Sequence, residues 1–290
     1  MSIKVIIYRK PFKYWYPGTD VVKSIVKRYG DRILDGDFII ISDKALSTAY
    51  GYIYDESSIT SVKTFVIPTY VVSRIFWCRI FGKVFSEDIL KILCKYNIVK
   101  LARHKKLALR IGGFKHFIKP ISEAGIDTTN LPYEYVSIPI KEINDIVTEI
   151  YFELSSILHK SLNLLIVDTD KCFRPISLKS IALSTRPSKV KGIIDLGGYA
   201  YLIGKCFRKF FKEYPTPVSY KGIWIGLDKI LRLAKIGNSA MGYGAGRNLI
   251  EMYKNLGINL NKHIKWLDLA RIRHYPAVVV RIPKNLRKLI

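Results

Sequence analysis

Hydrophobic and polar positions repeat along the chain with two periods, one typical of strands and one typical of helices. Short apolar or β-branched runs predict strands at residues 3–8, 38–41, 162–167 and 277–282. Apolar residues at helical spacing predict helices at residues 21–29, 86–96, 141–159, 198–212, 227–236, 248–256 and 263–272. Because strands and helices alternate irregularly, the pattern predicts an α+β fold with mixed or antiparallel sheets and packed helices, not a repeated βαβ design.

The composition predicts one large folding unit or two closely joined ones. The chain has 290 residues, of which 49% are hydrophobic and 24% are charged, so it can bury a substantial core. The proline-containing stretch at residues 215–217 is the best candidate for a break between subdomains. We therefore expect a core at residues 1–214, and a C-terminal helical segment and closing strand at residues 215–290 that complete the same fold.

Several features of the sequence predict a cytoplasmic protein. No apolar run approaches the roughly 18 to 20 residues that a membrane span needs, and Arg9 and Lys10 end the first apolar run early. The cysteines lie far apart and form no Cys-x-x-Cys pair. They are Cys78, Cys94, Cys172 and Cys206. We expect four mostly buried thiols in a reducing compartment.

The charge of the chain indicates an anionic partner. Lysine and arginine number 48 against 23 aspartates and glutamates, which gives a formal net charge of +25. A field of this size attracts phosphates, polyanions and acidic ligands. The basic residues are spread over the whole chain, whereas a nucleic-acid-binding protein usually concentrates them on one face or in one tail. A non-enzymatic basic protein that binds nucleic acid remains an alternative.

Two aspartates follow apolar runs at positions suited to metal-dependent phosphate chemistry. Asp127 stands in Ala-Gly-Ile-Asp-Thr-Thr-Asn at residues 124–130, and Asp168 ends the apolar run 162–167. A carboxylate at a strand end can hold a hard divalent cation, and the neighbouring Thr169 can add a further oxygen ligand. Each aspartate could instead serve only turn chemistry, by accepting a hydrogen bond from the backbone two residues on.

These two segments, with three others in the same order, resemble the coenzyme F420-0:γ-glutamyl ligase family. The further matches are a Pro-Gly turn at residues 17–20, a Gly-Asp strand that leads to Lys-x-x-Ser at 34–47, and a Pro-x-Val-Val-Val-Arg strand at 275–281. The resemblance implies an enzyme that adds L-glutamate to coenzyme F420-0 in γ-glutamyl amide linkage. The γ-phosphate of GTP would activate the substrate carboxylate as an acyl phosphate. A homodimer is implied as well.

The resemblance also implies roles for individual residues. A divalent ion, Mg²⁺ or Mn²⁺, would bind Asp127, Asp168 and Thr169, and the two aspartates with Lys44 would form the catalytic group. Nucleotide or substrate phosphate would lie near Ser47, Asn130 and Arg174. A further acidic residue is expected before the last strand, and Asp228 is the one candidate.

A glycine-rich stretch at residues 242–248 is a second candidate for phosphate binding. It runs into a predicted helix, and Gly244 and Gly246 would let backbone N–H groups approach a phosphate. It could equally be a flexible loop, or Tyr243 could act as a lid or as a contact between subunits. Because it follows no clear strand, it is not a dinucleotide-binding fingerprint.

The chain departs from the family pattern at a few positions. Glu123 stands where the family usually has asparagine, and Tyr50 stands where a Glu-Gly pair usually follows Lys-x-x-Ser. The turn before Arg174 lacks the usual glycine. These differences leave open an amide ligase of the same fold with another acid or amine substrate, and ATP in place of GTP.

Overall fold

A mixed β-sheet with helices on both faces forms the body of the chain. The structure, a computed structural model, describes residues 5–84, 93–120, 123–259 and 262–283. The strands are β1 (Ile6–Tyr8), β2 (Phe38–Ser42), β3 (Ile53–Asp55), β4 (Tyr135–Ser137), β5 (Asn163–Pro175), β6 (Ala182–Ser184), β7 (Ile193–Asp195), β8 (Phe211–Lys221) and β9 (Ala277–Arg281).

The helices connect these strands and cover the sheet. They are α1 (Val21–Tyr29), α2 (Asp43–Ala49), α3 (Lys63–Tyr70), α4 (Ile98–Gly112), α5 (Phe114–Phe117), α6 (Ile143–Leu158), α7 (Gly198–Cys206), α8 (Leu227–Met241), α9 (Leu249–Leu256) and α10 (Trp266–Ala270). A π-helix at Val71–Ile80 continues α3 directly. Among the described residues, no helix is both long and apolar enough to cross a membrane.

The main sheet has the strand order β1-β9-β2-β5-β6-β7, and β8 pairs with β5. β2 and β5 run parallel, as do β6 and β7, whereas β9 is antiparallel to both β1 and β2. β5 is antiparallel to β6 and β8. A second, two-stranded sheet is formed by β3 and β4. The predicted α+β fold with a mixed sheet is therefore confirmed.

Alternate residues of the central strands enter two different hydrophobic cores. In β2, Ile39 and Ile41 pack with α1 and α6, whereas Phe38 and Ile40 pack with α8. Strands buried on both faces are continuously apolar, which explains the uninterrupted apolar run at 38–41. The two cores hold β2 and β5 at the centre of the molecule.

The predicted elements agree with the structure where the hydrophobic pattern is strong. α1, β2, α6, α9 and β9 lie within a few residues of their predicted bounds. The prediction was wrong at β5, which continues past Val167 to Pro175, and at 198–212, where α7 ends at Cys206 and β8 begins at Phe211. Residues 3, 4 and 86–92 of the predicted strand and helix lie outside the described part of the chain.

The stretch expected to separate two subdomains lies within β8. Pro215 and Pro217 pair with β5 beside two register shifts in that ladder. Proline cannot donate a ladder hydrogen bond, and it is tolerated at irregularities and in strands with one unpaired side. The boundary proposed at residue 214 therefore falls inside a strand.

The expectation of four thiols was wrong, because Cys78 and Cys94 form a disulfide. Arg74 donates from its guanidinium to the backbone oxygens of Leu93 and Tyr96, so the π-helix lies against this segment. Cys172 is a buried free thiol and Cys206 an exposed one. The spacing of 16 residues matches no motif, which is why the sequence did not reveal the pair.

A buried ion pair between Asp37 and Arg281 joins the start of β2 to the end of β9. The Asp37 carboxylate is fully buried, and Arg281 donates to it from Nε at 2.9 Å and from Nη2 at 2.8 Å. Arg281→Met should lower the free energy of unfolding by about 3 kcal/mol, because it leaves a buried carboxylate without its cation. Urea unfolding measures the change.

Arg32→Met is the matched control for this variant. Arg32 pairs with Asp31 on the surface, where both side chains are more than half exposed. Its loss should cost less than about 1 kcal/mol. Equal losses in the two variants would contradict a structural role for the buried pair.

Candidate functional site

Parallel pairing of β2 with β5 brings two of the predicted catalytic residues, Lys44 and Asp168, to the same edge of the sheet. The last paired residues are Ser42 and Val167, so Asp43 and Lys44 leave β2 where Asp168 and Thr169 continue β5. The carboxyl ends of parallel strands lie at one edge of a sheet, where ligand sites form in α/β proteins. Asp43 and Asp168, which are distant in sequence, therefore become neighbours.

Asp127 reaches the same edge from a loop. Its backbone N–H donates to the Ser137 oxygen at 3.1 Å and its own oxygen accepts from the Ser137 N–H at 2.9 Å, so β4 holds the loop. Lys44 Nζ lies 2.5 Å from Asp127 Oδ2 and also donates to the Thr129 hydroxyl. Lys44, at the start of α2, thereby joins the end of β2 to the Asp127 loop.

A buried arginine that the sequence did not indicate completes the group. Arg186 Nη1 donates to Asp43 Oδ2 at 2.6 Å and to Asp168 Oδ2. Gly125 packs on this guanidinium, since a Cβ there would lie 2.6 Å from Arg186 Cζ. Arg186 follows β6, which pairs with β5 through Cys172 and Phe173. A short strand pairing thus places a cation beside Asp168.

The surroundings shift the acidity of these carboxyl groups. Burial raises the pKa of Asp43, although the adjacent Arg186 charge opposes this. Burial acts to raise the pKa of Asp168 as well, but the charge and hydrogen bond of Arg186, together with the charges of Lys44 and Lys119, hold that pKa below its usual value. Burial raises the pKa of Asp170 to about 7, against the effect of Lys119, which lies 2.7 Å away. Of these three carboxyl groups, Asp168 is thus the one whose ionised form is favoured.

A cavity of about 550 Å³ opens beside this group. Of the predicted site residues, those that line it are Lys44, Asp127, Asn130, Asp168, Thr169, Gly244 and Gly246. Its volume is in the range of small-molecule and cofactor sites, about 300 to 1,000 Å³. The cavity thus brings the two aspartates, the lysine and the glycine-rich loop to one space.

Asn130 holds the glycine-rich loop against the Asp127 loop. Its side-chain amide donates to the Tyr243 oxygen at 3.2 Å, and its side-chain oxygen accepts from the Ala245 N–H at 2.5 Å. Gly244 has φ +60°, and a Cβ there would lie 2.6 Å from the Asn130 side-chain oxygen. The loop thus connects α8 to α9 and forms part of the cavity wall.

α4 supplies a second set of charges to the same cavity. Lys100 and Arg103 pair with Glu134 at 3.0 and 3.2 Å, and His104 Nδ1 lies 2.6 Å from Glu56 Oε1. Five lysines and arginines and four acidic residues line the cavity among the described residues. The wall is therefore highly polar, with positive and negative side chains in nearly equal number.

The structure does not bring three of the suggested residues to the cavity. Ser47 is buried on α2 and does not line it. Arg174 is buried too, with its Nε 3.1 Å from Asp228 Oδ1 and Nη1 donating to backbone oxygens. Because β5 continues through residue 174, the basic turn expected after Asp168 does not form. Asp228 therefore pairs with Arg174, away from the cavity.

The donors at the β2–β5 edge are suitable for a hard divalent cation. The described residues contain no group of three or more His, Cys, Asp or Glu side chains arranged to hold a metal. Mg²⁺ commonly takes only one or two protein carboxylates and completes its shell with phosphates and water. Asp127, Asp168 and Thr169 line the cavity and are the residues that could hold such an ion there.

Comparison with known proteins agrees with this geometry. A model of the family F420-0:Gamma-glutamyl ligase matches residues 12–210. An uncharacterized protein of Methanocaldococcus jannaschii is 30% identical over 284 residues, which cover 92% of each chain. The chain belongs to the F420-0:γ-glutamyl ligase family. Membership supports a ligase activity on coenzyme F420. Lys44, Asp127, Asp168 and Arg186 lie within the matched region, whereas the glycine-rich loop lies outside it.

The contact between Gly244 and Asn130 can be tested with a matched pair of variants. Gly244→Ala and Gly257→Ala both place an alanine at positive φ, which costs about 1 to 2 kcal/mol. Only Gly244→Ala also collides with a neighbour, and overpacking adds roughly 1 to 3 kcal/mol. Gly244→Ala should therefore destabilise the protein more in urea unfolding and open the loop to protease. Equal effects would contradict the proposed role of Asn130.

His274, another cavity residue, should make stability depend on pH. Burial lowers its pKa from 6.5 to about 3, so the folded protein keeps the ring neutral where the unfolded chain protonates it. Stability should therefore fall as the pH drops below about 6.5, by about 1.4 kcal/mol per pH unit from this residue. His274→Phe should remove that contribution.

Urea unfolding of the two proteins between about pH 4 and 8 tests this dependence. Above about pH 7 the slopes should agree, because the ring is then neutral in both the folded and the unfolded state. Parallel slopes below pH 6 would show that His274 is protonated in the folded protein.

Proposed function

We propose that this protein is a GTP- and divalent-metal-dependent ligase that joins L-glutamate to coenzyme F420-0 through an acyl phosphate. The proposal rests chiefly on the presence of Asp127, Asp168, Thr169 and Lys44 in the lining of one ligand-sized cavity. Family membership supplies the substrate class. The charged cavity wall suits a substrate that carries several charged groups.

In this proposal the two aspartates hold the nucleotide phosphates through a cation. Asp127, Asp168 and Thr169 provide oxygen ligands, and Mg²⁺ or Mn²⁺, when bound, neutralises the charge that develops on the phosphoryl group. Asp168 is kept ionised by Arg186, so it is ready to bind a cation without first losing a proton. Asp127 is held in place by Lys44 and by the Thr129 N–H, which donates to Oδ1 at 2.9 Å.

Lys44 is proposed to stabilise charge during phosphoryl transfer. One carboxylate oxygen of F420-0 attacks the γ-phosphorus of GTP, GDP leaves, and an acyl phosphate forms. The amine of glutamate then attacks the acyl carbon, loses a proton, and releases inorganic phosphate. The Lys44 ammonium lies beside Asp127, where it can donate to a phosphate oxygen that enters the cavity.

The glycine-rich loop is proposed to cover the nucleotide. Its glycines line the cavity, and Asn130 connects it to the loop that carries Asp127. Closure over a reactive acyl phosphate would exclude water, which competes with the amine for the acyl carbon. We further propose that the protein acts in the cytoplasm as a homodimer, and sedimentation velocity tests the dimer.

Nucleotide binding should depend on both metal and aspartates. Calorimetric titration with GTP should show binding in the presence of Mn²⁺, and Asp127→Asn or Asp168→Asn should weaken it at least about tenfold, since each removes one charged metal ligand. Circular dichroism checks that the variants fold.

Asp31→Asn is the matched control, because Asp31 is exposed and lies outside the cavity wall. It should bind GTP as the unsubstituted protein does. Undiminished binding by both site variants, or no metal-dependent binding by the unsubstituted protein, would overturn the proposed site. Tight, salt-dependent binding of RNA without GTP turnover would favour the basic nucleic-acid-binding protein instead.

A further inference from the structure

The guanidinium of Arg186 occupies a place that chemically suits a metal ion. Its side chain is 1% exposed, and those of Asp43 and Asp168 are 4% and 11% exposed. One nitrogen, Nη1, donates to an oxygen of each carboxylate. The two oxygens therefore lie no more than two hydrogen-bond lengths apart, with a positive charge between them.

The same two carboxylates could share a divalent cation. Hard cations bind carboxylate oxygens at roughly 2.0 to 2.6 Å, so one ion can bridge two oxygens at such a separation. Asp43 Oδ1 is buried and has no hydrogen-bond partner among the described residues. A buried carboxylate oxygen without a donor is costly. Arg186 donates only to the other oxygen, Oδ2, whereas a metal ion bound by both oxygens of Asp43 would satisfy each of them.

The backbone around Arg186 keeps its side chain in this place. The Ser184 hydroxyl donates to the Arg186 oxygen at 2.6 Å, and the Thr185 N–H donates to the Lys171 oxygen at 3.0 Å. On the other side, Gly125 leaves only enough room for the guanidinium. The arginine is thus held both by the β5–β6 pairing and by the loop that leads to Asp127.

We propose that Arg186 is a built-in cation that fills a divalent-cation site formed by Asp43 and Asp168. It acts as a positioning residue, because it holds Oδ2 of Asp168 and leaves Oδ1 for the cavity. While Arg186 is in place, Asp43 and Asp168 consequently bind no divalent ion between them. This inference does not depend on ligase chemistry, since it concerns only which cation the two carboxylates bind.

The number of Mn²⁺ ions bound per chain, measured by electron paramagnetic resonance, tests the proposal. Arg186→Ala removes the cation and leaves a space lined by both carboxylates, so it should bind one more Mn²⁺ than the unsubstituted protein. Mn²⁺ should also raise its thermal unfolding midpoint more than it raises that of the unsubstituted protein.

Two further variants act as controls. Arg186→Lys keeps a positive charge at the site and should bind no additional ion. Asp43→Asn with Arg186→Ala removes one of the two carboxylates and should bind none either. An Arg186→Ala variant that neither takes up an additional ion nor gains stability from Mn²⁺ would overturn the proposal, and so would an additional ion in the double variant.

The outcome separates this inference from the proposed function. If the unsubstituted protein binds no Mn²⁺ but Arg186→Ala binds one ion, the Asp43–Asp168 site is supported and the proposed metal at Asp127 is not. If the unsubstituted protein binds Mn²⁺ and Arg186→Ala binds the same number of ions, the proposed metal at Asp127 is supported and the Asp43–Asp168 site is not.

Discussion

The parallel pairing of β2 with β5 is the constraint on which the site depends. It places the residues after Ser42 beside the residues after Val167, and so joins Asp43 and Lys44 to Asp168 and Thr169. Both strands are buried on two faces by separate cores, so neither can slip by one residue without exchanging the side chains that enter each core. The hydrophobic residues of β2 and β5 thereby determine the relative positions of the charged residues that follow each strand.

Charge compensation is the second requirement at this edge. Four aspartates, Asp43, Asp127, Asp168 and Asp170, gather in a largely buried region, and each contacts a cation supplied by another part of the chain. These cations are Lys44, Lys119 and Arg186. Each ion pair joins two different segments of the chain. The same ion pairs that neutralise the carboxylates therefore also fix the Asp127 loop, β5 and α2 relative to one another. The charged side chains that would bind a substrate are thus already held in place.

The sequence predicted those parts of the site that local patterns carry. Asp127 and Asp168 each follow an apolar run, and the glycine-rich loop was visible from its composition, and all line the cavity. Arg174 was assigned by the basic turn it was expected to occupy, but β5 continues there and turns its side chain toward Asp228. Arg186 had no local signal, because only the pairing of β6 with β5 brings it to Asp168. The pairing of Cys78 with Cys94 likewise depends on tertiary packing.

The most direct test of the account is to follow oxygen during the reaction. F420-0 labelled with ¹⁸O in its free carboxylate is incubated with the protein, L-glutamate, GTP and Mn²⁺, and the inorganic phosphate and coenzyme are analysed by mass spectrometry. Transfer through an acyl phosphate predicts one ¹⁸O in each phosphate released, together with a coenzyme one glutamate longer. Unlabelled phosphate, or a coenzyme without added glutamate, would contradict the central claim that this cavity activates a carboxylate for amide formation.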